Sequence, residues 1–187
     1  VDYVFIPKIG EIYKNKKKMK IKISSRDKIL CAKYRKGHFE GVLAVINQLL
    51  NTIKARYMFL GNKDYQQVYL IKKFVKKKFN VKIISCNTVR DNNLLAYSSR
   101  ILNLSNSEKI KASILTKELN MIFKKIKKNI KNLNKIKFIK DKFSRYGIKI
   151  EYLEIRNKFN LSKKFNKNNF KLFVAFYINK VRLIDNF

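Results

Sequence analysis

The sequence of 187 residues has few of the residues that build metal centres and disulfide frameworks. It contains two cysteines, Cys31 and Cys86, and a single histidine, His38. The cysteines lie far apart and do not form a Cys-x-x-Cys pair, which argues against a zinc site or a disulfide framework. We therefore predict a cytoplasmic protein without a metal-ligand cluster.

Long hydrophobic runs are also absent. The longest apolar stretches, such as residues 172–178, are much shorter than the roughly 20 residues of a membrane-spanning helix. The first residues lack the basic-then-apolar pattern of a signal peptide. No Ser/His/Asp set and no Walker-type phosphate loop can be assembled from the chain. We expect no membrane partner.

Acidic residues are scarce, with 12 Asp and Glu against 45 Lys and Arg, so the formal net charge is +33. Such a balance favours a nucleic-acid partner at first sight. However, the lysines are scattered from end to end, and the chain has one Pro, five Gly and no Trp. This composition is typical of a coding sequence that has drifted toward AT-rich codons, which would leave the additional lysines on a solvated surface. We expect no nucleic-acid partner, and a basic nucleic-acid-binding module without catalysis stays open as the alternative.

The apolar residues predict a folded α/β chain. Hydrophobic residues make up 46% and aromatic residues 13% of the sequence, enough for a sizeable core. Helical periodicity runs from Phe39 to Ile53 and again over 65–79, with short apolar strands predicted at 57–60 and 81–86. Alternating strands and helices indicate βαβ units on a parallel sheet, whose ligands bind at the carboxyl ends of the strands.

The second half of the chain has a different pattern. Ser105-x-x-Glu108 is a capping box that opens a predicted helix reaching Lys128. Another helix is predicted over 136–146, ended by Gly147. Strands follow from Ile148 and over 170–178. Helices followed by a small sheet predict a second, α+β domain that begins at residue 89.

The N-terminal region gives weaker patterns. Residues 1–6 predict a short strand that ends at Pro7, and residues 9–13 predict a helical turn. Alternation of Met19, Ile21 and Ile23 with lysines predicts a half-buried strand.

Two polar stretches follow the predicted strands. Residues 61–67 read Gly-Asn-Lys-Asp-Tyr-Gln-Gln between a strand and a helix. A helix N-terminus presents free N–H groups to an anion, and Lys63 adds a positive charge. Residues 95–100 read Leu-Ala-Tyr-Ser-Ser-Arg, with two hydroxyls and a guanidinium that fits phosphate oxygens. Together they predict the edges of one nucleotide-binding cleft.

These motifs resemble the pantothenate synthetase (pantoate–β-alanine ligase) family, whose members typically read Arg-Pro-Gly-His-Phe-x-Gly-Val, Phe-Gly-Glu-Lys-Asp-x-Gln-Gln, Arg-x-x-Asp-Gly-Leu-Ala-x-Ser-Ser-Arg and Arg-Leu-x-Asp-Asn. Four stretches of this chain match them in the same order: 35–42, 61–67, 90–100 and 182–186. The chain departs from the family at four positions: Lys36 and Asn87 replace proline, Asn62 replaces glutamate, and Leu94 replaces glycine. Leu94 matters most, because a residue with a Cβ resists the positive φ angles that glycine permits.

The resemblance implies a fold and a site. Residues 1–88 would be the C-terminal part of a Rossmann-like nucleotide-binding domain, with a partial parallel sheet, and 89–187 the smaller α+β domain. ATP would be bound by the following residues: Gly61, Asn62, Lys63, Asp64, Val89, Tyr97, Ser98, Ser99 and Arg100. Within this set Lys63 and Arg100 would stabilise charge in the transition state, and Asp64 would contact the ribose. Gln67 would bind pantoate.

The resemblance also implies the reaction, in which pantoate and Mg²⁺·ATP form a pantoyl adenylate that β-alanine converts to pantothenate, with release of AMP and pyrophosphate. A homodimer is expected. The family's His-x-Gly-His motif lies upstream of the residues present, so His38 is interpreted as a loop-orienting residue and the isolated chain is expected to be incomplete and inactive alone. A related nucleotidyl-transferring enzyme is a further alternative.

Overall fold

The computed structural model describes residues 2–12, 21–136 and 138–187 of this chain. Their contacts divide the chain into two units, the first formed by Val1–Leu60 and Gln66–Cys86 and the second by Gly61–Tyr65 and Asn87–Phe187. The predicted α/β class is confirmed, because a short parallel sheet with helices is followed by a small antiparallel sheet. The domain boundary at residue 89 stays a prediction.

Among its described residues, the first unit has four α-helices: α1 (Ile9–Ile12), α2 (Cys31–Tyr34), α3 (His38–Thr52) and α4 (Tyr65–Lys78), the last of which begins in the second unit. Strands β1 (Tyr57–Gly61) and β2 (Lys82–Cys86) form its two-stranded sheet. The predicted helices and strands between residues 39 and 86 are therefore present, with ends that differ by at most one residue.

Helices α3 and α4 form because their apolar residues recur at helical spacing. On α3, Phe39, Leu43 and Leu50 are buried, and on α4, Val68 and Ile71 are buried. A large apolar side chain that is buried in this way contributes roughly 1.5–3 kcal/mol to folding. The lysines of α4 are exposed, and one of them, Lys73, forms an ion pair with the buried Asp27 at 2.7 Å.

Two strand predictions near the N-terminus are wrong for the described residues. Residues 2–6 form no strand, and Tyr3 and Ile6 are more than 80% exposed. Residues 21–24 also form no strand and lead into a 3-10 helix, Ser25–Asp27. The backbone that follows is held by a side chain rather than by a neighbouring strand, because Gln66 Nε2 donates to the carbonyls of Asp27 and Ile29. Met19 lies outside the described residues.

The second unit is built on α5 (Asn106–Lys128), α6 (Ile139–Ser144) and three antiparallel strands in the order β3 (Ile148–Asn157), β4 (Phe170–Ile178) and β5 (Val181–Asn186). The register pairs Asn157 with Phe170 and Phe173 with Asn186. The predicted helix over 136–146 is shorter than expected, since a 3-10 helix, Ile130–Ile136, precedes α6. Gly147 follows with φ of 74°, a left-handed angle that glycine adopts readily.

The core of the second unit lies between α5 and the sheet. Leu115, Leu119 and Ile126 of α5 and Leu172 of β4 are fully buried in one cluster with Phe143. The predicted capping box is confirmed: Ser105 N–H donates to Glu108 Oε2 at 2.7 Å, and Glu108 N–H donates to Ser105 Oγ at 3.3 Å. The hydrogen bond from the Ser105 backbone also lowers the pKa of Glu108.

Candidate functional site

The turn after β1 carries the first predicted stretch. Gly61 ends the strand with an extended backbone, φ −74° and ψ 128°, and the 3-10 helix Asn62–Asp64 leads directly into α4 at Tyr65. A Cβ at Gly61 would meet no atom within 4 Å. The backbone angles do not require glycine here, but the space beside the strand end is open. The turn thus places Lys63 and Asp64 at the N-terminal end of a 14-residue helix, where anions are favoured.

Asn186, the last residue of β5, holds this turn. Its side-chain Nδ2 donates to the carbonyl oxygens of Asn62 and Lys63, at 2.9 and 3.0 Å. Its Oδ1 accepts from Lys171 Nζ at 2.8 Å. Asn186, which is 123 positions away in sequence, therefore holds the backbone of Lys63 in place.

An ion pair beside Asn186 ties the second stretch to the same strand. Arg90 binds the buried Asp185 in a fork, with nitrogen–oxygen distances of 2.7 and 2.8 Å. The same guanidinium donates to the carbonyls of Leu94 and Asn186, at 2.8 and 3.1 Å, and lies 5.0 Å from the centroid of the Phe187 ring. Bidentate arginine–carboxylate contacts fix geometry as well as charge.

The loop from Arg90 to Ala96 is a tight turn. Arg90 and Ala96 form an isolated antiparallel bridge, and Asp91 Oδ1 accepts from the backbone N–H groups of Asn93 and Leu95, both at 2.9 Å. Leu94 has φ of 66°, the left-handed angle for which the family uses glycine. Leucine at this angle has a conformational cost of about 1 kcal/mol or more.

Tyr97 and Ser98 lead into a 3-10 helix, Ser99–Asn103, whose second residue is Arg100. Ser98 Oγ accepts from the Arg100 backbone N–H at 3.3 Å, so it caps this helix. The Arg100 guanidinium donates to the carbonyl of Arg182 on β5 at 3.2 Å. Ser99 and Arg100 are exposed, as are Val89 and Tyr97. Strand β5 thus contacts both predicted stretches, through Asn186 and through Arg182, four residues or roughly 13 Å apart along the strand.

The two glutamines at the start of α4 differ in environment. Gln66 is buried, and its amide makes three hydrogen bonds: it accepts from Ala32 N–H and donates to the carbonyls of Asp27 and Ile29. Gln67 is half-buried. The sequence motifs did not identify Gln66 as a residue that holds the backbone. Its position gave a signal, because it lies four positions before the buried Leu70 and thus on the apolar face of the helix.

Lys171 and Tyr65 give the electrostatics beside the turn. Burial lowers the pKa of Lys171 from 10.5 to about 8, while Asp185 opposes the shift and Arg90 and Lys158 add to it. Tyr65 packs against Phe173, with ring centroids 5.7 Å apart, and its hydroxyl donates to the Lys158 carbonyl at 2.7 Å. Burial raises the pKa of this hydroxyl.

Comparison with known proteins decides the family. The model of the family described as pantoate-beta-alanine ligase matches residues 1–187. Pantothenate synthetase of Clostridium botulinum is 37% identical over 191 residues, covering 100% of this chain and 68% of its own. The chain belongs to the pantoate-beta-alanine ligase family.

Two solved structures of the family are similar to the fold. Pantothenate synthetase from Thermus thermophilus matches with a TM-score of 0.88 and 26% identity, covering 100% of this chain and 69% of that one. Pantoate-beta-alanine ligase from Francisella tularensis, complexed with β-γ ATP and β-alanine, matches with a TM-score of 0.76 and 36% identity, covering 95% and 61%. This chain spans about two thirds of the length of these relatives.

Family membership does not favour the basic nucleic-acid-binding module. The ligand contacts assigned from the resemblance stay predictions, and so does the loop-orienting role of His38, which is the first residue of α3 and lies 5.0 Å from the Phe39 ring. Cys31 is buried and Cys86 is exposed, and neither forms a disulfide. Within residues 2–12, 21–136 and 138–187, no helix has the length and apolar character to cross a membrane, and no three His, Cys, Asp or Glu side chains form a metal cluster.

Proposed function

We propose that the protein condenses pantoate with β-alanine in an ATP-dependent reaction, as the family name implies. The observation that carries the proposal is the family match over all 187 residues. The geometry supports it, because the turn that carries Lys63 stands at the carboxyl end of a parallel strand and at a helix N-terminus, where open α/β sheets bind nucleotides. Assembly as a homodimer is part of the proposal.

In the first step a pantoate carboxylate oxygen forms a bond to the α-phosphorus of ATP, and the bond from this phosphorus to the β-phosphate oxygen breaks. Pyrophosphate leaves, and pantoyl adenylate remains. Lys63 and Arg100 stabilise the negative charge that develops, and Ser98 and Ser99 donate to phosphate oxygens. The contribution of these groups is position and charge rather than proton transfer.

In the second step the amine of β-alanine attacks the acyl carbon of the adenylate. The amide bond forms, the acyl–oxygen bond to AMP breaks, and the amine loses its extra proton to solvent or buffer. Gln67 holds pantoate through both ends of its amide. Asp64 accepts hydrogen bonds from the ribose, while Gly61, Asn62, Val89 and Tyr97 flank the nucleotide.

Magnesium enters this scheme as part of the substrate. The described residues contain no carboxylate cage, and Mg²⁺ commonly binds through phosphate oxygens and water with one or two protein carboxylates. The ion would offset phosphate charge during the first step.

The test is single-turnover release of pyrophosphate from ATP by the intact protein, with and without pantoate. Lys63→Ala should slow pantoate-dependent release at least tenfold, which corresponds to about 1.4 kcal/mol of transition-state stabilisation. Lys76→Ala, an exposed lysine in the last turn of α4, is the matched control and should change the rate less than twofold. Release that does not depend on pantoate would contradict the proposal. RNA binding with a steep salt dependence and no effect of ATP would favour the nucleic-acid module instead.

A further inference from the structure

The side chain of Asn186 is buried and uses three hydrogen bonds. Nδ2 donates to two carbonyl oxygens of the strand-end turn, and Oδ1 accepts from Lys171 Nζ. The orientation of the amide follows from its partners. If the amide were turned over, Oδ1 would face two carbonyl oxygens and Nδ2 would face an ammonium, so that all three contacts would be repulsive.

The backbone of Asn186 is fixed as well. Its N–H donates to Asp185 Oδ1 at 2.7 Å, and its carbonyl accepts from Arg90 at 3.1 Å. Asp185 is itself held by the fork from Arg90. Asn186 therefore reaches the turn from a rigid base, the condition under which a side chain sets the position of its partner.

Lys171 fixes the orientation of the Asn186 side-chain amide. Its Nζ lies 5.0 Å from the centroid of the Tyr65 ring and donates to Oδ1 at 2.8 Å. A cation at Oδ1 polarises the amide and strengthens the two bonds that Nδ2 donates, because hydrogen bonds in a chain reinforce one another. We call Lys171 and Asn186 together the turn clamp.

We propose that Asn186, oriented by Lys171, is a positioning residue that fixes the carbonyls of Asn62 and Lys63 and thereby sets the direction in which the Lys63 side chain leaves the turn. The inference rests on the proposed function, in which Lys63 contacts phosphate during adenylate formation. The clamp itself acts on the turn and touches no substrate.

The charge of Lys171 makes the clamp sensitive to pH. The groups that face it are Asp185 from β5, Arg90 from the loop after β2, Lys158 after β3 and the ring of Tyr65. Either form of the Lys171 amine donates to Asn186, but burial lowers the pKa of Lys171 to about 8, so the closed turn is favoured as pH rises through about 8. Opening of the turn should decrease over the same range, and Lys171→Met should remove the pH dependence.

The first experiment measures amide hydrogen exchange in peptides that cover residues 61–67 of the intact protein. Asn186→Ala should raise exchange there at least tenfold. Asn157→Ala is the matched control, because Asn157 is also a buried asparagine of the sheet and donates to a loop carbonyl, that of Lys164. It should change exchange in 61–67 less than threefold. Equal exchange in both variants would overturn the clamp.

The second experiment separates the clamp from general stability and from the proposed function. In single-turnover pyrophosphate release, Asn186→Ala should lower the maximal rate at least tenfold with the ATP KM changed less than threefold, and Lys171→Met should flatten the pH profile between pH 7 and 9. An unchanged maximal rate would overturn the positioning role. If the wild-type protein shows no pantoate-dependent release, the proposed function fails, and the exchange experiment alone decides whether the clamp exists.

Discussion

Leu94 offers a direct test of backbone strain in the loop that carries the second predicted stretch. Its φ of 66° lies in the left-handed region, which costs a residue with a Cβ roughly 1–2 kcal/mol. We consider two variants, Leu94→Ala and Leu94→Gly. Both lose the half-buried leucine side chain, so the difference between them reports the backbone alone.

At an ordinary position glycine is less stable than alanine by roughly 0.5–1 kcal/mol, because the unfolded chain has more freedom. At Leu94 the strain of about 1–2 kcal/mol falls on alanine and not on glycine. The two terms have opposite signs, so Leu94→Gly should be more stable than Leu94→Ala by up to about 1.5 kcal/mol. Asn92, an exposed residue two positions earlier whose φ is not positive, should show the ordinary order, with alanine more stable than glycine.

The assay is urea unfolding of the four variants, followed by a signal from the second unit, with equal slopes as the condition for comparison. The expected result is an inversion of the alanine–glycine order between residues 92 and 94. If alanine is at least as stable as glycine at residue 94, then the left-handed angle is not strained and the loop does not need the glycine that the family uses there.

Three further changes are expected to alter stability. Arg90→Gln leaves the buried carboxylate of Asp185 without its ion pair and should cost about 3–5 kcal/mol in urea unfolding; a loss below 1 kcal/mol would contradict this. Gln66→Leu should cost about 2–3 kcal/mol by leaving backbone groups unsatisfied, whereas Gln67→Leu should cost less than about 0.5 kcal/mol; similar losses would refute the distinction. Burial lowers the pKa of Lys171 from 10.5 to about 8, so above about pH 8 the native state binds fewer protons than the unfolded state. Wild-type stability should therefore rise by about 1–2 kcal/mol relative to Lys171→Met between pH 7 and 9.5. Parallel pH curves for the two proteins would contradict this expectation.

Local patterns predicted the regular elements well. The stripe from Phe39 became α3, and the capping box at Ser105 and Glu108 opens α5. In each case the signal lies within one element, since periodicity and capping depend on residues three or four positions apart. The same reasoning failed at Ile21 and Ile23, because alternation alone does not supply a neighbouring strand.

Contacts between distant residues were beyond such reasoning. The motif ending in Asp185 and Asn186 matched the family, but nothing local connects Asn186 with a turn 123 residues earlier. Gln66 and Gln67 are the same residue type. They differ because Gln66 lies on the buried face of α4 and binds backbone groups, whereas Gln67 is half-buried. Sequence reasoning thus found the stretches that resemble a site without the strand that holds them.

The few acidic residues and the many lysines differ in their structural roles. Asp185, Asp91 and Glu108 each hold backbone or an arginine in a defined place, whereas the lysines at the end of α5 are exposed: Lys124, Lys125, Lys127 and Lys128. Cations at a helix C-terminus favour the helix by only about 0.3–1 kcal/mol each. Replacing all four by glutamine should therefore lower stability modestly and leave pantoate-dependent pyrophosphate release within about threefold, while non-specific RNA binding weakens with a shallower salt slope. A large loss confined to the chemical step would show that these lysines act in the reaction, and the drift of surface charge would no longer explain them.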